Sequence, residues 1–251
     1  SSNIKSIVLF TKNSDGLRNS GMFWEPGAFA SYICLGLLLF LGNIRKLLQF
    51  HLFKVFIILI ALITTYSTTG YLVLFIIGLA TIFLEYSKKY KIFVLPFVFV
   101  FLYIVYSIYQ NTEFLKDKID HQLEDAIINN GNDFSPDRFG AFFFDLHYIE
   151  KHPLVGNGMD DSTRFADHAW LQGEKLGHGN GFSNFLATMG GLSFLFYSFY
   201  IIKYKHQHPW IFLITIFILL QGEQLMNFPL FLSLPFIFIY ENYYSRSNYL
   251  P

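Results

Sequence analysis

The chain of 251 residues is 53% hydrophobic, 20% aromatic and only 14% charged, with a mean hydropathy of +0.39, which is a membrane composition. Its 18 Lys and Arg balance 18 Asp and Glu, and its single cysteine, Cys34, excludes an internal disulfide and any multi-cysteine metal site within the chain. Residue 1 is not Met and the first long apolar run starts only near Ala28. The expectation is therefore the C-terminal part of a longer protein, with an odd number of upstream spans if that protein begins in the cytoplasm.

Charge is unevenly spread. Between residues 110 and 180 six Lys and Arg face thirteen Asp and Glu, so the remainder is basic. Nine of its twelve basic residues form short clusters: Arg45, Lys46 and Lys54; Lys88, Lys89 and Lys91; Lys203 and Lys205; and Arg246. The positive-inside rule assigns such clusters to the cytoplasm. Apolar runs at about 28–42, 52–69, 70–86, 92–109, 182–202, 209–225 and 227–240 are the expected spans, although several fall short of the ~20 residues a crossing helix needs. The uncharged stretch from Val55 to Leu84 reads as a hairpin turning at STTG (67–70), because one crossing would put two lysine clusters on opposite sides. Residues 209–240 read as two spans turning at QGEQLMN (221–227), with Glu223 either lining a cavity or capping a wet turn. The expected fold is an all-α polytopic membrane protein of about seven transmembrane helices. It has an extracytoplasmic segment at 1–27, spans one to four within 28–109, a large extracytoplasmic loop at 110–181, spans five to seven within 182–240, and a cytoplasmic tail at 241–251.

Within the loop, SPDRFGAFFFDLHYIEKHPLVGNG (135–158) predicts an amphipathic helix with Ser135 as N-cap, Pro136 at N1 and an end before Pro153. Phe139, Phe142, Phe143, Leu146 and Ile149 form an apolar stripe suited to the membrane surface or the helix bundle. Arg138, Asp145 and His152, at steps of seven, mark an ionic face. Arg138 falls in the first helical turn, where free N–H groups already carry partial positive charge. An anion docked there gains from both the N–H groups and the guanidinium fork; the alternative is an arginine paired with Asp137 or Asp133 on a wet surface. Arg18, ahead of a helix begun by Pro26 and Gly27, is a second anion-binding candidate that Glu25 would orient, or else anchors the helix at the headgroups with Trp24. Arg164, flanked by Asp160, Asp161 and Asp167, reads by default as a surface ion pair. His178, between Gly177 and Gly179, is either a general base at the membrane mouth or a solvated loop histidine. The loop histidines show no compact metal spacing, and Asp160 with Asp161 gives only a weak divalent-cation signal.

Four segments, RNSGMFWEPGAFASYI (18–33), STTGYL (67–72), RFGAFFFDLHYIEKHPLVGNGM (138–159) and HGNGFSNFLATMGGL (178–192), together resemble the superfamily of O-antigen polymerases and O-antigen ligases, in the same order along most of the chain. The resemblance implies a GT-C-like, multi-pass glycosyltransferase of the bacterial inner membrane with its site facing the periplasm. It would use an undecaprenyl-pyrophosphate-linked glycan as donor and a second glycan as acceptor, with no metal or cofactor. His178 and Arg138 are then the implied catalytic residues. Arg138, Arg18 and Arg164 would bind the pyrophosphate, and Glu25, Asn180 and Asp145 complete the substrate-binding set. Implied partners are the lipid-linked oligosaccharide, the membrane, a chain-length regulator and a flippase; no nucleic acid is expected. The ligase pattern has Asn directly after His, whereas Gly179 separates His178 from Asn180 here, while Gly190 keeps its spacing from Asn180. With GMFWEPGAFA, this favours a polymerase of repeat units (O-antigen, capsule or exopolysaccharide) over a ligase acting on a lipid A core or protein. The alternative from another class is a transporter or flippase of the same glycolipids. Against it, an outer loop of roughly 70 residues exceeds what a gate requires, and the spans lack the charges of a transport path.

Overall fold

A computed structural model describes residues 18–85, 138–172, 179–205 and 207–247, together with the isolated helical positions Pro96, Val98, Phe99 and Tyr103. Among the described residues all regular structure is helical: α1 (Pro26–Leu39), α2 (Ile44–Ile63), α3 (Thr68–Glu85), α4 (Arg138–Lys151), α5 (Asp161–Arg164), α6 (Gly181–Tyr204), α7 (Pro209–Leu220) and α8 (Pro229–Ser247). Short 3-10 turns occupy Ala169–Leu171 and Leu225–Asn227. The chain divides into two compact units, Ser1–Val100 with Ile214–Leu219, and Phe101–Leu213 with Leu220–Pro251.

In the first unit α1, α2 and α3 pack pairwise on one another. Pro26 opens α1, where its fixed φ suits a helix and its missing N–H costs nothing. The hairpin between α2 and α3 is present, but it turns at Thr64–Tyr66, with Tyr66 at φ 50°. STTG is instead the start of α3: the Ser67 hydroxyl accepts from Gly70 N at 3.2 Å and caps the helix. Gly70 also lets α1 approach, since a Cβ there would come within 2.9 Å of the Ala30 Cβ. Segment 18–20 closes over the same turn: Asn19 N donates to Thr64 O (2.9 Å) and Asn19 Nδ2 to Thr64 Oγ1 (3.0 Å).

Among the described residues two helices are long and apolar enough to cross a membrane, α2 with 20 residues and α6 with 24. At 1.5 Å per residue either one covers the ~30 Å of a hydrocarbon core. On α2 only Val55 and Leu62 are buried, while Phe50, Phe53, Phe56 and Ile57 all point outward. The remaining expected spans are less complete. Pro26–Leu39, Thr68–Leu84 and Pro209–Leu220 are shorter apolar helices, α8 carries Pro235 within it, and 92–109 lies outside the described residues except at isolated positions. Helix α2 starts at Ile44, earlier than its apolar run, because it continues through a kink at His51 that joins the basic segment to the apolar one.

The second unit is organised by a break in α6. Gly190 adopts φ 78°, ψ 167°, which interrupts the helical hydrogen bonds in the middle of an apolar sequence. The segment after α4, residues 153–158, repairs the gap with its own backbone. Asn157 N donates to Ala187 O (2.9 Å), Gly158 N to Thr188 O (3.0 Å), Gly191 N to Pro153 O (2.8 Å) and Leu192 N to Leu154 O (3.1 Å). The Asn157 side chain adds bonds from Nδ2 to Tyr148 O (2.9 Å) and Ala187 O (2.8 Å), tying the end of α4 to the same place. Contact this close requires glycine on both sides. A Cβ on Gly156 would overlap the Thr188 carbonyl, and one on Gly190 would overlap the Leu154 carbonyl. Both also hold positive φ, 71° and 78°. Helix α6 then packs on α4 and on α8.

Alanine at Gly190 or Gly156 is expected to destabilise the fold by at least ~1–3 kcal/mol, from backbone strain and overpacking together. Alanine at Gly36, where a Cβ meets nothing within 4 Å, is expected to be neutral or stabilising by up to ~1 kcal/mol. Thermal midpoints of fluorescently tagged protein in detergent measure both; equal midpoints for Gly36→Ala and Gly190→Ala contradict the role given to this clasp of residues 153–158 on α6.

Candidate functional site

Helix α4 presents Ala141, Phe144, Asp145 and Tyr148 to the protein interior at spacings of three and four, and all four are buried. The expected apolar stripe is a different face: Phe139 and Phe143 are each 41% exposed, and Phe142, Leu146 and Ile149 are only half-buried. Nor do Arg138, Asp145 and His152 share an environment. Asp145 is fully buried, whereas Arg138 and His152 are exposed, because α4 is covered along its middle and bare at its ends.

The group that meets Asp145 is Arg164. Asp160 accepts from Ser162 N at 2.8 Å and caps the single turn of α5, which holds Arg164 in place. Its Nη2 donates to Asp145 Oδ1 and, at 3.4 Å, to Asn184 Oδ1; its Nε donates to Thr188 Oγ1 at 3.2 Å. The second oxygen of Asp145 accepts from the Ser183 hydroxyl at 2.5 Å. Arg164 is 3% exposed and Asp145 is not exposed at all. Nη1 is buried and has no hydrogen-bond partner. The Tyr148 and Phe165 rings, each 4.8 Å from Arg164 Cζ, supply π faces that partly offset the missing acceptor. The default surface role for Arg164 is therefore corrected. Its neighbours in sequence, Asp160, Asp161 and Asp167, are exposed, and its partner is a carboxylate on another helix. A guanidinium sealed in this way holds α4, α5 and α6 together and has no open face for a pyrophosphate.

The exposed carboxylates have other partners. Asp167 accepts from Lys151 and, at 2.8 Å, pairs with His147. The Lys151 hydrogen bond, followed by that of His147, holds the Asp167 carboxyl below its usual value. A depressed carboxyl stabilises the fold above the unfolded pKa of ~3.9, and the contribution fades as pH falls through the lower folded value. Tyr148 OH and His168 Nδ1 share a hydrogen bond of 2.6 Å just above the buried pair.

The other expected site residues divide among three situations. Asn180 is 5% exposed and its amide is used structurally: Oδ1 caps α6 from Phe182 N (3.1 Å) and Ser183 N (3.0 Å), and Nδ2 donates to Gln221 Oε1 (3.1 Å). It is a helix cap. Arg18, in the first unit, donates from Nε to Thr65 O (3.1 Å) and from Nη2 to Tyr66 O (3.5 Å), so it covers the carbonyl end of α2. Glu25 is the exposed N-cap residue of α1 and forms no bond to Arg18, which corrects its expected orienting role. Arg138 is exposed and unpaired among the described residues, and α4 is described from it onward. His178 and the residues expected to start α4, Ser135, Pro136 and Asp137, lie outside the described residues. So does any contact they make.

Ser183, Asn184, Thr188 and Tyr148 form the polar centre with Asp145 and Arg164, and sequence reasoning passed over all four. One signal was available: Gly140 and Ala141 are small residues on the face of α4 that carries Asp145, and small residues mark where another element approaches closely. Among the described residues no three His, Cys, Asp or Glu side chains cluster as metal ligands.

Removing one member of the buried pair leaves the other charged and unpaired. Arg164→Met or Asp145→Asn alone is expected to cost ~3–5 kcal/mol, and the double variant less than the sum. Thermal unfolding of the four proteins completes the cycle; additive losses contradict direct coupling. The chain matches no protein-family model, no curated protein and no solved structure.

Proposed function

We propose that the chain is the catalytic part of a polytopic bacterial inner-membrane glycosyltransferase that polymerises undecaprenyl-pyrophosphate-linked repeat units. About seven spans, α1, α2, α3, residues 92–109, α6, α7 and α8, carry α4 and its loop on the periplasmic side, where the acidic segment 110–181 agrees with the positive-inside rule. The observation that carries this reading is the clasp. Two of the segments bearing the resemblance, 138–159 and 178–192, are separate in sequence, yet their described parts are joined by four backbone hydrogen bonds and the Asp145–Ser183 contact.

Chemistry follows from the leaving group. The acceptor hydroxyl attacks the anomeric carbon, the bond from that carbon to the pyrophosphate oxygen breaks, and the polyprenyl pyrophosphate departs with the bonding electron pair. The hydroxyl proton passes to a base, the role given to His178. Charge accumulates on the departing pyrophosphate, where the exposed Arg138 guanidinium stabilises it. Arg164 and Asp145 act beneath them, fixing α4 on α6 so that Arg138 is held at one height.

Arg138→Ala is expected to lower chain extension of purified undecaprenyl-pyrophosphate repeat units by roughly 100-fold, with unchanged resistance to carbonate extraction from membranes. Normal-length chains from that variant refute the site. A wild-type protein that makes product only with an added lipid A core acceptor is a ligase, and one that moves the glycolipid without bond formation is a transporter.

A further inference from the structure

A second feature of α6 lies away from the polar centre. An apolar groove of about 480 Å³ runs between α6 and α8, lined by Phe185, Met189, Ser193 and Tyr197 on one side and Pro235 and Phe236 on the other. Of its polar groups, the Ser193 hydroxyl donates to Met189 O (2.7 Å) and the Tyr197 hydroxyl to Phe231 O (2.9 Å). Both are committed to backbone carbonyls, which leaves the Tyr200 hydroxyl as the remaining side-chain polar group of a lining otherwise built of Phe, Met, Leu, Ile and Pro, so the groove suits hydrocarbon. At one end the lining Tyr200 stacks on Tyr204 (5.9 Å, 8°), and the Lys203 ammonium sits over the Tyr204 and Phe199 rings at 5.2 and 5.4 Å. Lys203 is exposed and has no carboxylate partner among the described residues. An apolar channel that ends one ring away from an unneutralised cation matches a ligand with an anionic head and a hydrocarbon tail.

We propose that this groove binds an anionic phospholipid, with one acyl chain between α6 and α8 and the headgroup phosphate at Lys203. The inference rests on reading α6 and α8 as membrane spans, which carbonate extraction tests separately, and is independent of the glycosyl-transfer chemistry. It draws on charge complementarity: one lysine near an anionic lipid surface contributes a factor of roughly 5.

Native mass spectrometry of the full-length protein in detergent, with phosphatidylglycerol and phosphatidylcholine of identical acyl chains as probes, reads the preference directly. Wild type is expected to retain phosphatidylglycerol about 5-fold over phosphatidylcholine. Lys203→Gln is expected to abolish the preference while still retaining lipid, and Ser193→Phe, which fills the groove, to reduce retention of both. Lys203 is a surface position, so its variant keeps the test informative if Ser193→Phe misfolds. Equal retention of the two lipids by wild type overturns the proposal, as does an unchanged preference in Lys203→Gln. Stronger retention of polyprenyl phosphate than of phosphatidylglycerol, independent of Lys203, assigns the groove to an isoprenoid chain instead and also overturns it.

Discussion

The second unit depends on how the break in α6 is repaired. An apolar helix interrupted at Gly190 has carbonyls and N–H groups with no partners of their own, and its neighbouring side chains have few polar atoms to offer. In a low-dielectric setting such groups must be satisfied by protein. Residues 153–158 satisfy them with backbone alone, which demands an extended segment at van der Waals contact and hence Gly156 facing Gly190. Once that pairing is made, the end of α4 is fixed against Ala187. The register that follows brings Asp145 to Ser183 and Arg164 to Thr188. A buried ion pair is a weak source of net stability because desolvation offsets the attraction. The clasp supplies the placement, and the ion pair makes one arrangement of α4, α5 and α6 preferable to its neighbours.

Local punctuation made much of the helical framework readable from sequence. Pro26 opens a helix as expected, and the turns at 64–66 and 221–227 fall within a few residues of where charge and composition put them. Such features are readable because prolines and caps act on their immediate neighbours. The break was not readable, because ATMGGL has the apolar character of a continuous span and the segment that repairs it lies more than thirty residues earlier. Only the coincidence of two glycine pairs, GNG and GG, hinted at a close approach. The spans themselves were readable as apolar runs, yet α1 and α7 are shorter than those runs, because helix ends are set by proline and turn geometry rather than by hydropathy.

Arginine roles were the least readable, for one physical reason. Sequence shows which carboxylates are neighbours along the chain, whereas burial is decided by partners across it. Arg164 stands among three aspartates and takes a fourth from α4; Arg18 stands before Glu25 and takes carbonyls 47 and 48 residues away. In both cases the distant acceptor is itself fixed, by a helix interior or a helix end, and costs less to recruit than a mobile surface carboxylate. Arg138, by contrast, is exposed and takes no carboxylate among the described residues.

Helix α6 therefore serves two solvents. Before the break its side chains Ser183, Asn184 and Thr188 hold a charged pair, and along another face Phe185, Met189, Ser193 and Tyr197 line an apolar groove. The two faces meet at Thr188 and Met189, adjacent residues whose carbonyls are already committed, one to Gly158 N and the other to the Ser193 hydroxyl. The groove runs past Gly190, with Phe185 and Met189 before the break and Ser193 and Tyr197 after it, whereas the polar centre lies wholly before it. Residues 153–158 bind on both sides of the break, so one backbone segment fixes the stretch of α6 that holds the ion pair and the stretch that continues the groove.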